Sequence, residues 1–179
     1  YLNPRDLKEK GLAHVPEDRQ RMGLVTEFKA HENLIFGYHH QEPYSKSSIL
    51  QEKEIMSFSK KVMEEYDVRP TSPNLITSNF SGGNQQKIIL SRELNENPKV
   101  LLIGQPTRGV DIGAIEFIHQ RLIDMRDKGA AILLVSVELE EVLSLSDRIV
   151  VMFDGNIVGE KINKDVTDRD LGLLMAGVA

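Results

Sequence analysis

Chemistry concentrates in the segment Asn79-Phe80-Ser81-Gly82-Gly83-Asn84-Gln85-Gln86-Lys87, followed by the apolar Ile88, Ile89 and Leu90. Ser81 is a good helix N-cap residue. Gly82 and Gly83 let backbone N–H groups converge at a helix start, where free donors and the helix dipole point the same way. Such a turn suits an anion. The same residues also make an ordinary glycine-containing cap after a proline-rich loop, and alone they do not choose between the two. A second segment, Val100 to Asp111, begins some 17 residues after the glycines and reads Val-Leu-Leu-Ile-Gly-Gln-Pro-Thr-Arg-Gly-Val-Asp. Elsewhere the chemical signals are weak. His31, His39 and His40 lack metal-ligand spacing and there is no cysteine, so no metal site is expected. No nucleophile elbow surrounds any serine. Arg19 and Arg21 read as solvated loop charges, and Met56, Met63 and Met125 as core packing.

The secondary structure around these residues follows from pattern. Gly11 to Val15 is a short apolar stretch, followed by the polar run Pro16 to Arg21. Residues 41 to about 97 are mostly helical in pattern. There Ile55, Phe58, Val62 and Tyr66 mark one face of an amphipathic helix, and Ser48 with Gln51 reads as its capping box. Pro70 and Pro73 close that helix into a loop. Val100 to Ile103 reads as a strand buried on both faces. Asp111 caps a helix that Gly129 ends. Ile132 to Val135 reads as a second buried strand, and Glu138 to Ser146 as a short helix with an acidic first turn. Arg148 to Phe153, Asp154-Gly155 and Asn156 to Val158 form a hairpin, and Thr167 starts a terminal helix. Alternating strands and helices mean an α/β layer with a largely parallel sheet.

Composition bounds the function. The 179 residues hold 40% hydrophobic and 27% charged residues, the balance of one soluble globular domain. Lys plus Arg is 22 against 27 Asp plus Glu, a net charge of −5, so no basic excess exists for nucleic acid or an anionic membrane. No apolar segment approaches the roughly 18 residues of a membrane span. The first residue is Tyr rather than Met, which reads as a piece of something longer.

Taken in order, these segments resemble the signature loop, Walker B strand and D-loop of ATP-binding cassette ATPases. Ala13-His14-Val15-Pro16-Glu17-Asp18-Arg19 is similar to the strand and Q-loop, and Val135-Ser136-Val137-Glu138-Leu139 falls where the switch loop does. Pro-Glu-Asp-Arg at 16–19, Ser-Gly-Gly-Asn-Gln-Gln-Lys at 81–87 and Pro-Thr-Arg-Gly-Val-Asp at 106–111 resemble the second cassette of tandem-cassette importers of simple sugars and nucleosides. Ile-Gly-Gln at 103–105 and Gly113 to His119 lean toward the nucleoside branch. The resemblance implies a partial phosphate-loop NTPase core, about 98–179, with a helical subdomain at about 22–97 that carries the signature loop. It implies that residues 22–66 carry the permease contact.

The departures are specific. No G-x-x-x-x-G-K-[ST] phosphate loop occurs, so its strand and loop are expected upstream of Tyr1. The Walker B acidic pair is replaced by Gly104 and Gln105, the switch-loop histidine by Val137 and the Q-loop glutamine by Glu17. Phosphoryl transfer depends on positioned charge and metal, so this cassette's own site reads as degenerate, with no catalytic residue of its own. Ser81, Gly82, Gly83 and Asn84 would instead contact ATP held by the first cassette, with Asp111 bracing the interface. ATP and Mg²⁺ are then cofactors of the full-length protein, and neither is expected to bind this chain tightly. The implied partners are the first cassette and membrane permease subunits, with the protein peripheral on the cytoplasmic side of the membrane. Lost sheet pairing also predicts that the isolated chain either self-associates through its open edges or repacks its strands. Two other readings remain: a non-catalytic structural or regulatory cassette, and a soluble cassette protein acting on ribosomes or in DNA repair.

Overall fold

The computed structural model describes residues 3–178, in a first unit ending at Leu133 and a second beginning at Leu134. In the first, helix α1 (Pro4–Glu9) starts on an Asn3–Asp6 capping box and leads into strand β1 (Leu12–Val15). Strand β4 (Val100–Gly104) pairs with β1 in parallel, Leu12 opposite Val100 and Val15 opposite Ile103. Strand β5 (Ala131–Val135) completes a sheet of order β1-β4-β5. The alternation of buried Ala13, Val15, Leu101 and Ile103 sets one face against the central helix α4 (Gly82–Asn95). Ile88, Ile89 and Leu90 of α4 are fully buried. Burying such side chains stabilises the fold by roughly 1.5–3 kcal/mol each.

Around α4 stand α2 (Ala30–Leu34), α3 (Glu52–Glu65) and α5 (Ile112–Asp127). As the periodicity predicts, α3 turns Ile55 and Val62 inward, and Phe58 packs on a cluster of Ile35, Tyr38, Tyr44 and Ile55. Burial of Tyr44 pushes its phenol up to about 12. Asn33 is wholly buried and fully used. It exchanges bonds with Val25 N and O (2.9 and 2.8 Å) and donates to Thr77 Oγ1 (2.9 Å), tying two loops together. Under α4, Glu93 joins Lys8 (2.7 Å) and Arg92 (2.8 Å), a buried carboxylate between two cations.

Two expectations are corrected. Ser48 does not cap α3, whose N-cap is Gln51 without a side-chain capping bond. Ser47 and Ser48 instead take φ 50° and 65° at the tip of a two-residue hairpin joining β2 (Ser45–Lys46) to β3 (Ile49–Leu50). A hairpin turn with two positive φ angles matches the strand twist and removes Ser48 from helix geometry. β5 is not buried on both faces: Leu133 is 60% and Val135 59% exposed. It ends its sheet, and no strand among the described residues covers its outer edge.

In the second unit, α6 (Leu139–Leu145) is followed by the antiparallel pair β6 (Arg148–Phe153) and β7 (Asn156–Ile162). The turn is Asp154-Gly155, both at positive φ. Helix α7 (Asp168–Met175) starts on a Thr167–Asp170 capping box and packs Leu171 and Leu174 on Ile149 and Val151. The hairpin and both helix starts fall where the sequence puts them.

Candidate functional site

The Ser81 turn is built by the loop before it and the helix after it. Phe80 is buried, and Gln85 Nε2 donates to the carbonyls of Thr77 and Phe80, both at 3.2 Å. Those bonds pin the 3₁₀ turn Thr77–Asn79 and Phe80 to the first turn of α4. Ser81 is the N-cap, exposed, with extended backbone (φ −60°, ψ 159°). Its Oγ accepts from Asn84 Nδ2 at 2.9 Å and, at 3.4 Å, from Asn84 N. Asn84 Oδ1 in turn accepts from Arg69 N at 2.7 Å, which fixes the amide orientation. Both serine lone pairs are thereby occupied, so its hydroxyl proton is free to be donated outward. The N–H groups of Gly82 and Gly83 open a 14-residue helix and have no acceptor within it. One hydroxyl and two amide donors converge beside the positive end of the helix dipole.

The floor of the turn is the 106–111 loop. A Cβ on Gly83 would stand 3.1 Å from Asp111 Oδ2 and 3.5 Å from Ala114 Cβ. Asp111 caps α5 through Ala114 N at 2.9 Å, as expected. Gly82 is tighter: a Cβ there would lie 2.5 Å from Arg19 Nη2 and 3.1 Å from the Gly109 carbonyl. Arg19 is therefore no solvated loop charge. It donates to the carbonyls of Arg108 (2.7 Å) and Gly109 (3.4 Å), and its Nε is buried without a partner. In return Arg108 donates to Glu17 Oε1 at 2.6 Å. Sequence reading missed Arg19 because its partners lie 89 and 90 residues away. Asp18 caps the π-helical turn Arg19–Gly23 that carries it.

Gly104 and Glu17, far apart in sequence, meet at the end of β4. A Cβ on Gly104 would sit 3.3 Å from Glu17 N, so that corner is already close. Gln105 follows in the left-handed region at φ 47°. Gly104 and Gln105 do not fit a magnesium support, since Gly104 has no side chain and the amide of Gln105 is neutral; the nearby Glu17 carboxylate is paired with Arg108. Val137 belongs to the second unit and is exposed. Among the described residues, no group of three His, Asp or Glu could hold a metal ion.

A charged cluster flanks the turn. Asp67 accepts from Arg69 Nε (2.7 Å) and Lys87 Nζ (3.1 Å), and these bonds, Arg69's first, hold its carboxyl below the usual range. Lys87 also lies 5.0 Å from the Phe117 ring centroid, a cation–π contact joining α4 to α5.

Solved structures place this architecture in a class. The chain matches a nucleotide-free ATP-binding cassette from an ABC transporter with TM-score 0.71 at 23% identity, covering 98% of this chain and 68% of that one. It matches a dimeric, post-hydrolysis cassette bound to ADP and Pi with TM-score 0.69 at 23% identity, over 90% of this chain and 68% of that one. The fold is that of an ATP-binding cassette, α/β with a parallel sheet.

Sequence relatives narrow the class. The chain is 46% identical over 176 residues to the guanosine import ATP-binding protein NupO of Bacillus subtilis, covering 98% of this chain and 34% of that protein. It is 47% identical over 174 residues to the nucleoside import ATP-binding protein NupA of Lactococcus lactis, covering 97% of this chain and 34% of that protein. Against the ribose import ATP-binding protein RbsA of Oceanobacillus iheyensis it is 33% identical over 169 residues, 94% of this chain and 34% of that protein. No protein-family model matches the chain. Over nearly its whole length the chain is similar to nucleoside and sugar import ATP-binding proteins, and its fold is that of an ATP-binding cassette. It spans about a third of the length of these relatives.

Proposed function

We propose that this chain is part of the ATP-binding subunit of an importer that couples ATP hydrolysis to uptake of nucleosides or simple sugars. The nucleoside reading rests on the higher identity to the nucleoside import proteins, 46% and 47% against 33% for the ribose import protein. In this reading the chain is the second cassette of a pair. Its Ser81, Gly82 and Gly83 present their donors to ATP held by the first cassette, with Asn84 orienting the serine and Asp111 supporting the turn from below. Mg²⁺ would supply charge neutralisation at the phosphate, and Gly104 and Gln105 offer it no carboxylate. Within this chain Gly104 and Gln105 leave the Walker B position without an acid or a metal support, Val137 leaves no switch-loop histidine, and Glu17 stands in place of the Q-loop glutamine.

The observation that carries the reading is the Ser81 turn. Its hydroxyl acceptor sites are filled and its proton is free, two glycine amides lie beside it, and a close packed floor keeps side chains out. A cassette retained only as scaffold has no physical need of such a donor cluster. The open edge of β5 and the exposed Leu133 and Val135 support a phosphate-loop strand that pairs there in the whole protein. A cleft of about 900 Å³, lined partly by Leu12, His14 and Leu102 of the sheet, supports a covering element from outside this chain on that face. The division into a helical subdomain (about 22–97) and an α/β core (about 98–179) belongs to the same proposal. Met22, Phe28 and Phe36 are exposed apolar residues on the segment assigned to the permease. No helix among the described residues is long and apolar enough to cross a membrane, and the proposed place is peripheral, on the cytoplasmic face.

By this reading the isolated chain neither turns over ATP nor binds it with micromolar affinity. Calorimetric titration and a phosphate-release assay on the purified chain test this. Metal-dependent turnover that is abolished by a substitution within the chain would overturn it. Co-purification with ribosomes instead of a permease would favour the soluble-cassette alternative.

A further inference from the structure

The 16–19 segment does more than flank the site. Arg19 reaches three places at once. It donates to two consecutive carbonyls of the 106–111 loop, and its guanidinium fills the space where any side chain at position 82 would go. Gly109 sits at φ +66°, a left-handed conformation that a side chain disfavours, and this turns its carbonyl within reach of Nη2. The Arg108–Glu17 pair runs back the other way, so the two loops are joined twice. That pair is more than half exposed on both sides and contributes little by itself. Arg19 differs, because its Nε is dry and unpartnered. Leaving a buried donor unmet costs about 1–3 kcal/mol, which a freely solvated arginine would avoid by turning outward. The guanidinium is held for geometry rather than for full hydrogen bonding.

Resting on the proposed role of the Ser81 turn in trans, we infer that Arg19 is a positioning residue for that turn. It locks the first residue of α4 to the 106–111 loop, so that the donors of Ser81, Gly82 and Gly83 keep one fixed height above that loop. It touches no substrate. Displacing it lets the turn and loop shift independently, and a misplacement of about 1 Å can cost 10²-fold in rate. Lysine is no substitute, because a point charge cannot span two carbonyls as a planar fork does.

The test uses the full-length protein assembled with its permease, measuring kcat and KM for ATP with thermal unfolding alongside. Arg19→Ala and Arg19→Lys are each expected to lower kcat at least tenfold while KM changes less than twofold. Gly82→Ala, whose methyl would strike Arg19 Nη2, is expected to lower kcat similarly. Added to Arg19→Ala it should cost less than threefold more, since the nearest obstruction is gone and only the Gly109 carbonyl at 3.1 Å remains. Should Arg19→Ala not assemble, Arg19→Lys and Gly82→Ala carry the test. Arg19→Lys with more than half the normal kcat, or a raised KM at unchanged kcat, overturns the inference. So do multiplicative losses in the double variant. If Ser81→Arg also leaves turnover normal, the reading of the turn has failed; if Ser81→Arg silences turnover while Arg19→Lys does not, only the Arg19 inference has.

Discussion

Ser81→Ala separates the chemical role of the serine from its structural one. Two losses follow from removing Oγ. The first is a helix cap, ordinarily worth about 1 kcal/mol. Here the bond to Asn84 N is long at 3.4 Å, which puts the cap near the low end, about 0.5 kcal/mol. Asn84 Nδ2 also loses its partner, but Asn84 is only partly buried and water replaces the bond. For a domain of this size the sum lowers Tm by only about 1–2 °C. The second loss is a preorganised donor to developing phosphate charge. Removing one such donor costs on the order of 10²–10³ in rate, or about 2.7–4 kcal/mol. Turnover should therefore fall far more than stability. The assay is steady-state ATP hydrolysis by the assembled full-length transporter, with a melting curve on the same preparation. Ser81→Thr, which keeps a hydroxyl, should retain most activity. Ser81→Arg, which adds bulk where the phosphate approaches, should be nearly silent. Gln105→Ala should change little, and Gln105→Glu should not awaken a second site while Gly104 and Val137 remain. If Ser81→Ala keeps more than half of normal turnover while Gln105→Ala loses it, the roles assigned to the two loops are reversed.

Two more expectations can be checked on the chain itself. The uncovered edge of β5 should drive self-association of the purified chain, and Leu133→Lys with Val135→Lys should shift it toward monomer in sedimentation velocity; a monomeric parent chain would contradict this. The carboxyl of Asp67 is held low by Arg69 and Lys87, so the ionised form stabilises the fold above the unfolded carboxylate range, near pH 4, and that contribution fades as pH falls below it. Asp67→Asn, which tolerates the φ of 50° at this position, should flatten the acid limb of Tm against pH; an unchanged limb would show that the cluster adds nothing.

The features legible in residue order alone are local. Asp111 bonds Ala114 N, and Thr167 and Asp170 cap each other across three residues. Asp154-Gly155 closes a hairpin within one turn. Each depends on neighbours a few positions away, so residue type and spacing suffice. The Ser81-Gly82-Gly83 cap was legible for the same reason, and its order relative to Val100–Asp111 led to the family. Local signals also misled: Ser48 and Gln51 have capping-box spacing, but pairing of Ser45 with Leu50 and Lys46 with Ile49 claims Ser48 for a hairpin. Which surfaces are covered and which distant residues meet depends on long-range packing. The apolar run at β5 cannot say that it lies at a sheet edge, because edge or centre is set by strand order. Arg19 reads as one more charge in a polar run because the carbonyls that hold it come from a loop 89 residues on, brought there by the parallel pairing of β1 and β4.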